Sequence, residues 1–144
     1  MSLHQFCRKP VAKVSPEQNI AETCRLMQQK NVGCIVVESA GKLTGIITDR
    51  DIALKVAGAA RDPYTTKVEE IMSPDPIRIS VDRDLRSLTA LLHAYHIRRV
   101  PIVDSFDEVL GIVTLDDLIG LLGDEMSEIG KAIAEEFARA DVDE

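Results

Sequence analysis

The sequence predicts an α/β (α+β) fold. It reads as two tandem repeats, each running β-α-β-β-α, packed through their sheets with pseudo-twofold symmetry and followed by a C-terminal helix. Three observations predict it: an internal repeat, the order of apolar runs within each copy, and the small size of one copy. The repeat is the strongest of the three. Val14-Ser15 matches Ile79-Ser80 at an offset of 65 residues. In that register Ile20 falls on Leu85, Leu26-Met27 on Leu91-Leu92, and Asn31-Val32 on His96-Ile97. One inserted residue moves the offset to 66. Gly45-Ile46-Ile47-Thr48 then falls on Gly111-Ile112-Val113-Thr114, and Asp51-Ile52 on Asp117-Leu118.

Each element follows from local pattern. In the first copy, residues 10–14 form a short extended lead-in. Asn19 is an N-cap with Glu22 three residues on. Ile20, Thr23, Cys24 and Met27 make the apolar face of the helix that follows. Residues 32–38 are a near-continuous apolar run, as a buried strand requires. Ser39-Ala40-Gly41 is a turn, residues 43–48 a second strand, and residues 49–56 the start of a second helix. The second copy repeats the order. Residues 77–79 lead in, Asp84 caps, and Leu85, Leu88, Leu92 and Tyr95 form the helical face. Residues 100–104 and 109–114 are strands around a turn at 105–108, and helix begins at Leu115. Between the copies, Gly58, Asp62-Pro63, Ser73-Pro74 and Pro76 mark mostly irregular chain, with one helical turn at 68–72.

The chain has 144 residues and a mass of 15.9 kDa. A copy of about 60 residues buries only ~60% of its unfolded surface and is marginal alone. Two copies packed together overcome this, so the expectation is one globular unit with two equivalent clefts between the copies. The expected segments are a first repeat at 9–58, a linker at 59–76, a second repeat at 77–122 and a C-terminal helical extension at 123–144.

Composition excludes several function classes. Apolar residues are 45% and charged residues 28% of the chain, a globular balance. Lys plus Arg is 17 against 24 Asp plus Glu, a net charge of −7. That balance lacks the positive field that nucleic-acid binding requires. No run approaches the ~20 apolar residues of a membrane span. The first ten residues carry no apolar core of a secretory signal, so the expected location is the cytoplasm. Cys7, Cys24 and Cys34 are odd in number and form no C-x-x-C pair, so each reads as a small buried hydrophobe and no metal site is expected.

Gly45-Ile46-Ile47-Thr48-Asp49-Arg50-Asp51 and Gly111-Ile112-Val113-Thr114-Leu115-Asp116-Asp117 resemble the G-h-h-T/S-x-x-D signature of CBS domains, the cystathionine β-synthase type. Ile97-Arg98-Arg99-Val100-Pro101-Ile102-Val103-Asp104 is similar to that family's second signature. Val68-Glu69-Glu70-Ile71-Met72 resembles the segment that opens a CBS repeat. The tandem pair resembles a stand-alone prokaryotic Bateman module. The resemblance implies a non-enzymatic regulatory or sensor module that binds an adenosine-containing ligand (AMP, ADP, ATP, NAD or S-adenosylmethionine) in the cleft between repeats, with no cofactor required. It also implies a homodimer, since CBS modules pair into flat discs, and leaves room for an unidentified regulated protein.

The candidate binding residues have physical reasons of their own. Thr48-x-x-Asp51 and Thr114-x-x-Asp117 each sit where a strand ends and a helix begins. Free N–H groups and the positive end of the helix dipole there favour phosphate, and a carboxylate can accept from both ribose hydroxyls. The same spacing is also a capping box that needs no ligand. The two roles compete for the aspartate. Arg98 and Arg99 are suited to clamp a phosphate, or else to form a solvated edge with Asp104 or Asp107. The first copy has Gly33-Cys34 there, with Arg50 as a substitute cation, so the two sites are expected to be unequal and the second stronger. Val14, Val32, Ile79, Ile97 and Pro101 are candidates for an adenine slot, or plain core. His96 occupies the position of Asn31, which points to a helix-end role. No nucleophile and base converge as catalysis needs.

Beyond Leu118, the apolar positions Leu122, Met126, Ile129, Ile133 and Phe137 continue one helical stripe. The expectation is that this helix folds back or strengthens a dimer. The alternative function is a dimerising interaction module with empty or vestigial clefts.

Overall fold

Asn19 ends its extended stretch with its side-chain oxygen accepting from the Glu22 N–H at 2.8 Å, and a helix, α1 (Ile20–Lys30), starts at the next residue. Asp84 does the same for α4 (Leu85–Tyr95), accepting from the Ser87 N–H at 2.9 Å. Both helices end on a residue with left-handed backbone, Asn31 at φ 52° and His96 at φ 52°. The sequence repeat is therefore a repeat of start and stop signals as well as of apolar faces.

These elements belong to a computed structural model that describes residues 2–8 and 10–140. Lys9, the expected start of the first repeat, and residues 141–144, the expected end of the C-terminal extension, lie outside the described residues. The chain divides after Ile112 into two compact units. The first opens with a 3-10 turn at Leu3–Cys7. There follow β1 (Lys13–Val14), α1, β2 (Cys34–Ser39), β3 (Lys42–Thr48) and α2 (Asp49–Ile52), which runs on as a π turn at Ala53–Ala57. Next come α3 (Val68–Ile71), β4 (Ser73–Pro74), β5 (Ile79–Ser80), α4 and β6 (Arg99–Val103). β7 (Val109–Thr114) crosses the division. The second unit continues as α5 (Leu115–Ala140), one helix of 26 residues.

The strands form two sheets, ordered β1-β2-β3-β4 and β5-β6-β7. β1 pairs parallel to β2, Val14 opposite Val37. β5 pairs parallel to β6 in the same way, Ser80 opposite Val103. β2 and β3 form an antiparallel hairpin with Cys34 opposite Thr48. Ile20, Met27, Ile35, Val37, Ile47, Val56, Val68 and Ile71 are the buried core of the first repeat. A second cluster, Val36, Leu43, Val103 and Val109, draws equally on both repeats. Leu43 and Val109 are equivalent positions at the offset of 66. This cluster is the expected packing of the copies through their sheets.

The joining segment is more ordered than the sequence suggests. Val68 and Ile71 are buried in the first repeat's core, and β4 adds a fourth strand to its sheet, with Gly45 opposite Pro74. Its N-terminal counterpart is the Leu3–Cys7 turn, whose Leu3 is fully buried. At the offset of 65, Leu3 matches Val68, Phe6 matches Ile71 and Cys7 matches Met72. Each lead-in packs on the strand of the other repeat. A Cβ added to Gly111 would come within 2.7 Å of the Phe6 carbonyl oxygen, and one added to Gly45 would meet Met72. The bridges Ser2–Asp84 and Asn19–Lys67 tie the same exchange at equivalent positions.

Arg78 anchors the crossing between repeats. Its guanidinium donates to both carboxylate oxygens of Asp107 at 2.8 and 2.7 Å, to the Leu43 carbonyl at 3.3 Å and to Asp75 at 2.6 Å. The Leu43 N–H donates to the Asp107 carbonyl at 3.0 Å, and the Val109 N–H to Glu38 at 2.9 Å.

Candidate functional site

The two Thr-x-x-Asp segments are capping boxes. The Asp51 N–H donates to Thr48 Oγ1 at 3.2 Å, and the Thr48 N–H donates to Asp51 Oδ2 at 2.9 Å. The Thr48 hydroxyl also donates to Oδ2, at 3.1 Å, while Oδ1 lies 3.2 Å from Lys55 Nζ. Both oxygens of Asp51 are thus engaged locally. In the second unit, the Asp117 N–H donates to Thr114 Oγ1 at 3.1 Å and the Thr114 N–H to Asp117 Oδ2 at 3.0 Å. Asp117 is exposed, whereas Asp51 is half-buried.

Around the first junction the structure gathers residues from both repeats. Gly33 offers its carbonyl to the Asp49 N–H at 2.9 Å, so residues 32–34 run beside Thr48-Asp49. A Cβ at Gly33 would lie 2.9 Å from Asp49 Oδ2, so the Asp49 carboxylate lies over the glycine that stands where the second repeat has Arg98. Cys34 sits opposite Thr48 and is half-buried. Burial pushes its thiol up to about 11. The positive charge of Arg99 opposes this, and the carboxylates of Asp51 and Asp49 reinforce it. Arg99 and Cys34 are equivalent positions of the repeat, and the guanidinium of one acts on the thiol of the other. A thiol held there stays protonated at neutral pH, the opposite of an activated nucleophile.

The remaining candidates divide by burial. Ile79 and Pro101 are buried, which is the core reading. Val32 is 37% exposed and Ile97 half-buried, so both reach the surface. Val14 packs against the first core. Its register, opposite Val37, places it three residues along β2 from Cys34. Val14 also lines an open groove of about 370 Å³ between β1 and α1, with Lys13, Ser15, Gln18, Arg25 and Leu26 among its walls. That groove contains no other candidate. Arg98 and Arg99 are exposed, and Arg98 has an interaction of its own. Asp107 is held by Arg78, and Asp104 accepts from the Phe106 and Glu108 N–H groups of its turn. Arg50 is exposed, with its N–H on Asp49.

Two expectations need correction. Cys24 is exposed, and neither Cys7 nor Cys34 is fully buried. The inner face of α1 is Ile20, Thr23 and Met27, with Thr23 satisfying its hydroxyl on the Asn19 carbonyl at 2.9 Å. Tyr95, expected on the apolar face of α4, is 55% exposed, because the helix ends there. The Leu3–Cys7 lead-in escaped sequence reasoning altogether. Its signal was the Leu-x-x-Phe-Cys match to Val-x-x-Ile-Met.

Comparison with known proteins gives one family. A family model described as "CBS domain" matches residues 3–58 and 68–124. A CBS domain-containing protein of Bacillus subtilis is 44% identical over 108 residues, covering 75% of this chain and 76% of that one. An inosine-5'-monophosphate dehydrogenase of Methanocaldococcus jannaschii is 33% identical over 112 residues, 77% of this chain but only 21% of the enzyme. Among solved structures, a CBS domain pair in complex with 5'-methylthioadenosine and S-adenosyl-L-methionine superposes with a TM-score of 0.75 at 28% identity. That match covers 87% of this chain and 98% of that one. No described helix is long and apolar enough to cross a membrane.

Proposed function

Since the chain belongs to the CBS-domain family as a tandem pair, we propose that it is a non-enzymatic regulatory module that binds an adenosine-containing nucleotide of the AMP, ADP or ATP type, with NAD and S-adenosylmethionine as further candidates. The solved pair holding two adenosine compounds carries this reading. The dehydrogenase relative supports the regulatory part, because the match accounts for about a fifth of a much larger enzyme. The module works in the cytoplasm as a homodimer and passes the ligand-bound state to a partner protein by biasing one arrangement of its repeats over another.

Local chemistry supports unequal sites. At the first junction Asp51 is already engaged by Thr48 and Lys55, and Asp49 lies over Gly33. A phosphate there meets carboxylates. Thr114 and Asp117 belong to the repeat that carries Arg98 and Arg99, with Ile97 and Pro101 alongside in sequence. We assign the tighter site to that repeat and the weaker to Thr48, Asp51, Val32, Val14 and Arg50. The second reading, a dimerising module with vestigial clefts, is favoured by one observation, the loss of the basic pair at Gly33-Cys34.

Thermal-shift and calorimetric titration with AMP, ADP, ATP, NAD and S-adenosylmethionine tests the proposal. Stabilisation by at least one, with unequal sites, is the expected outcome. Asp117→Ala abolishes the tighter site and lowers stability by about 1 kcal/mol, the value of a cap. Asp51→Ala lowers stability similarly and spares the tighter site. Unchanged affinity in Asp117→Ala with a large loss of melting temperature assigns Asp117 to capping alone. No response to any ligand leaves the interaction module. Two equal tight sites overturn the asymmetry.

A further inference from the structure

α5 runs on to Ala140, sixteen residues past the end of the family match at 124. From the end of that match onward the helix keeps its apolar residues bare: Leu122, just inside the match, and Met126, Ile129, Ile133 and Phe137 beyond it are 49–72% exposed. With Ile119, the first four of these step by three and four residues, the a and d positions of a heptad. The flanks of that seam are distinctive. With Ile119 at a, the e positions are Gly123, Gly130 and Phe137, and the g positions are Glu125, Ala132 and Arg139. A Cβ on Gly123 or Gly130 would meet nothing within 4 Å, so both open onto empty space beside the seam.

We propose that this stretch of α5 packs antiparallel against the same stretch of a second copy. The inference names the interface of the homodimer proposed above, and rests on that part of the reading and not on the nucleotide. In an antiparallel pair the g edge of one helix faces the g edge of the other, and e faces e. Centring the pair between Ile129 and Ile133 sets Glu125 against the second copy's Arg139, and Arg139 against the second copy's Glu125. On the other edge, Phe137 lies over the second copy's Gly123, where no side chain competes for the space. Ile129 and Ile133 meet across the dyad and form the central layers. A parallel pair does the reverse. It sets Glu125 level with Glu125 and Phe137 level with Phe137, and brings the acidic first half of the helix (Asp116, Asp117, Asp124, Glu125, Glu128) against itself. Charge and side-chain size therefore select the same orientation. The contact is isologous and closes at two copies. Within one chain Glu125 and Arg139 are fourteen residues apart, about 21 Å along the helix axis, so they meet only between copies.

Sedimentation equilibrium on the full chain without nucleotide tests this. The wild type is expected as a dimer, and Ile129→Asp as a monomer. Glu125→Arg raises the dimer dissociation constant about tenfold through two reversed ion pairs. The double variant Glu125→Arg/Arg139→Glu returns it to within about twofold of wild type. Circular dichroism checks that every variant keeps the wild-type helix content. A monomeric wild type, a dimer indifferent to Ile129→Asp, or a Glu125→Arg defect that the charge swap does not rescue each overturns the pairing. Nucleotide binding fails or succeeds by calorimetric heat, which these masses do not report, so the two readings are tested apart.

Discussion

Cys34 stands in the first repeat where Arg99 stands in the second, and the Arg99 charge acts on the Cys34 thiol. Its thiol is held near 11, so its proton is a stability term. The folded chain keeps the proton above pH 9, where an unfolded cysteine releases it. Stability from this group is complete below about pH 9 and is lost as pH rises towards 11. Urea melts across that window are expected to lose on the order of 2 kcal/mol from Cys34, and Cys34→Ala to flatten the slope. An equal slope in both proteins shows that the loss comes from elsewhere. The sequence marked Cys34 as buried and apolar but not as part of a charged site. The neighbouring charges come from Asp49, Asp51 and a residue 65 positions away, and no local pattern reveals a through-space neighbour. Asp51 shows the converse case. Thr-x-x-Asp was legible as either cap or ribose contact, and the hydrogen bonds make the cap real without deciding the ligand role.

At the level of elements, helix starts and stops were the most legible features, because each depends on a few adjacent residues. Asn19 and Asp84 were read as caps and are caps. Asn31 and His96 show why the same position tolerates two residue types. Both take left-handed backbone, which asparagine accepts more readily than histidine. His96→Gly therefore relieves strain and is expected to raise stability by about 0.5–1 kcal/mol without affecting nucleotide titrations. A drop in stability, or a change in affinity, gives His96 a role beyond ending α4. Short strands and the 59–76 segment were less legible. β4 is two residues long and includes a proline, so neither alternation nor length announces it. It exists because β3 offers an edge and because Val68 and Ile71 anchor the chain in the first core just before it. A tertiary contact of that kind is absent from any window of the sequence.

For the whole molecule, the repeat predicted sheet-to-sheet packing, and the shared Val36, Leu43, Val103 and Val109 cluster is that packing. It did not predict the exchange of lead-in segments, because the N-terminal copy is only five residues long and diverged in sequence. The exchange makes Gly111 and Gly45 close-contact positions with different tolerances. At Gly111 the obstacle is the Phe6 carbonyl, which is backbone; at Gly45 it is chiefly the flexible Met72 side chain. Gly111→Ala is expected to lose about 1–3 kcal/mol in chemical denaturation, and Gly45→Ala less. The reverse order means that Leu3–Cys7 does not hold the second sheet. The interlock also bears on synthesis. A ribosome delivers the first repeat long before Val103, Asp107 and Val109 exist, and those residues cover Leu43, accept its N–H and close the cluster at Val36. The early half therefore waits with bare apolar strands, and the N-terminal turn waits longer still, until the Gly111 strand it clasps has been made. The tunnel must release the hairpin of the second repeat before either half can finish.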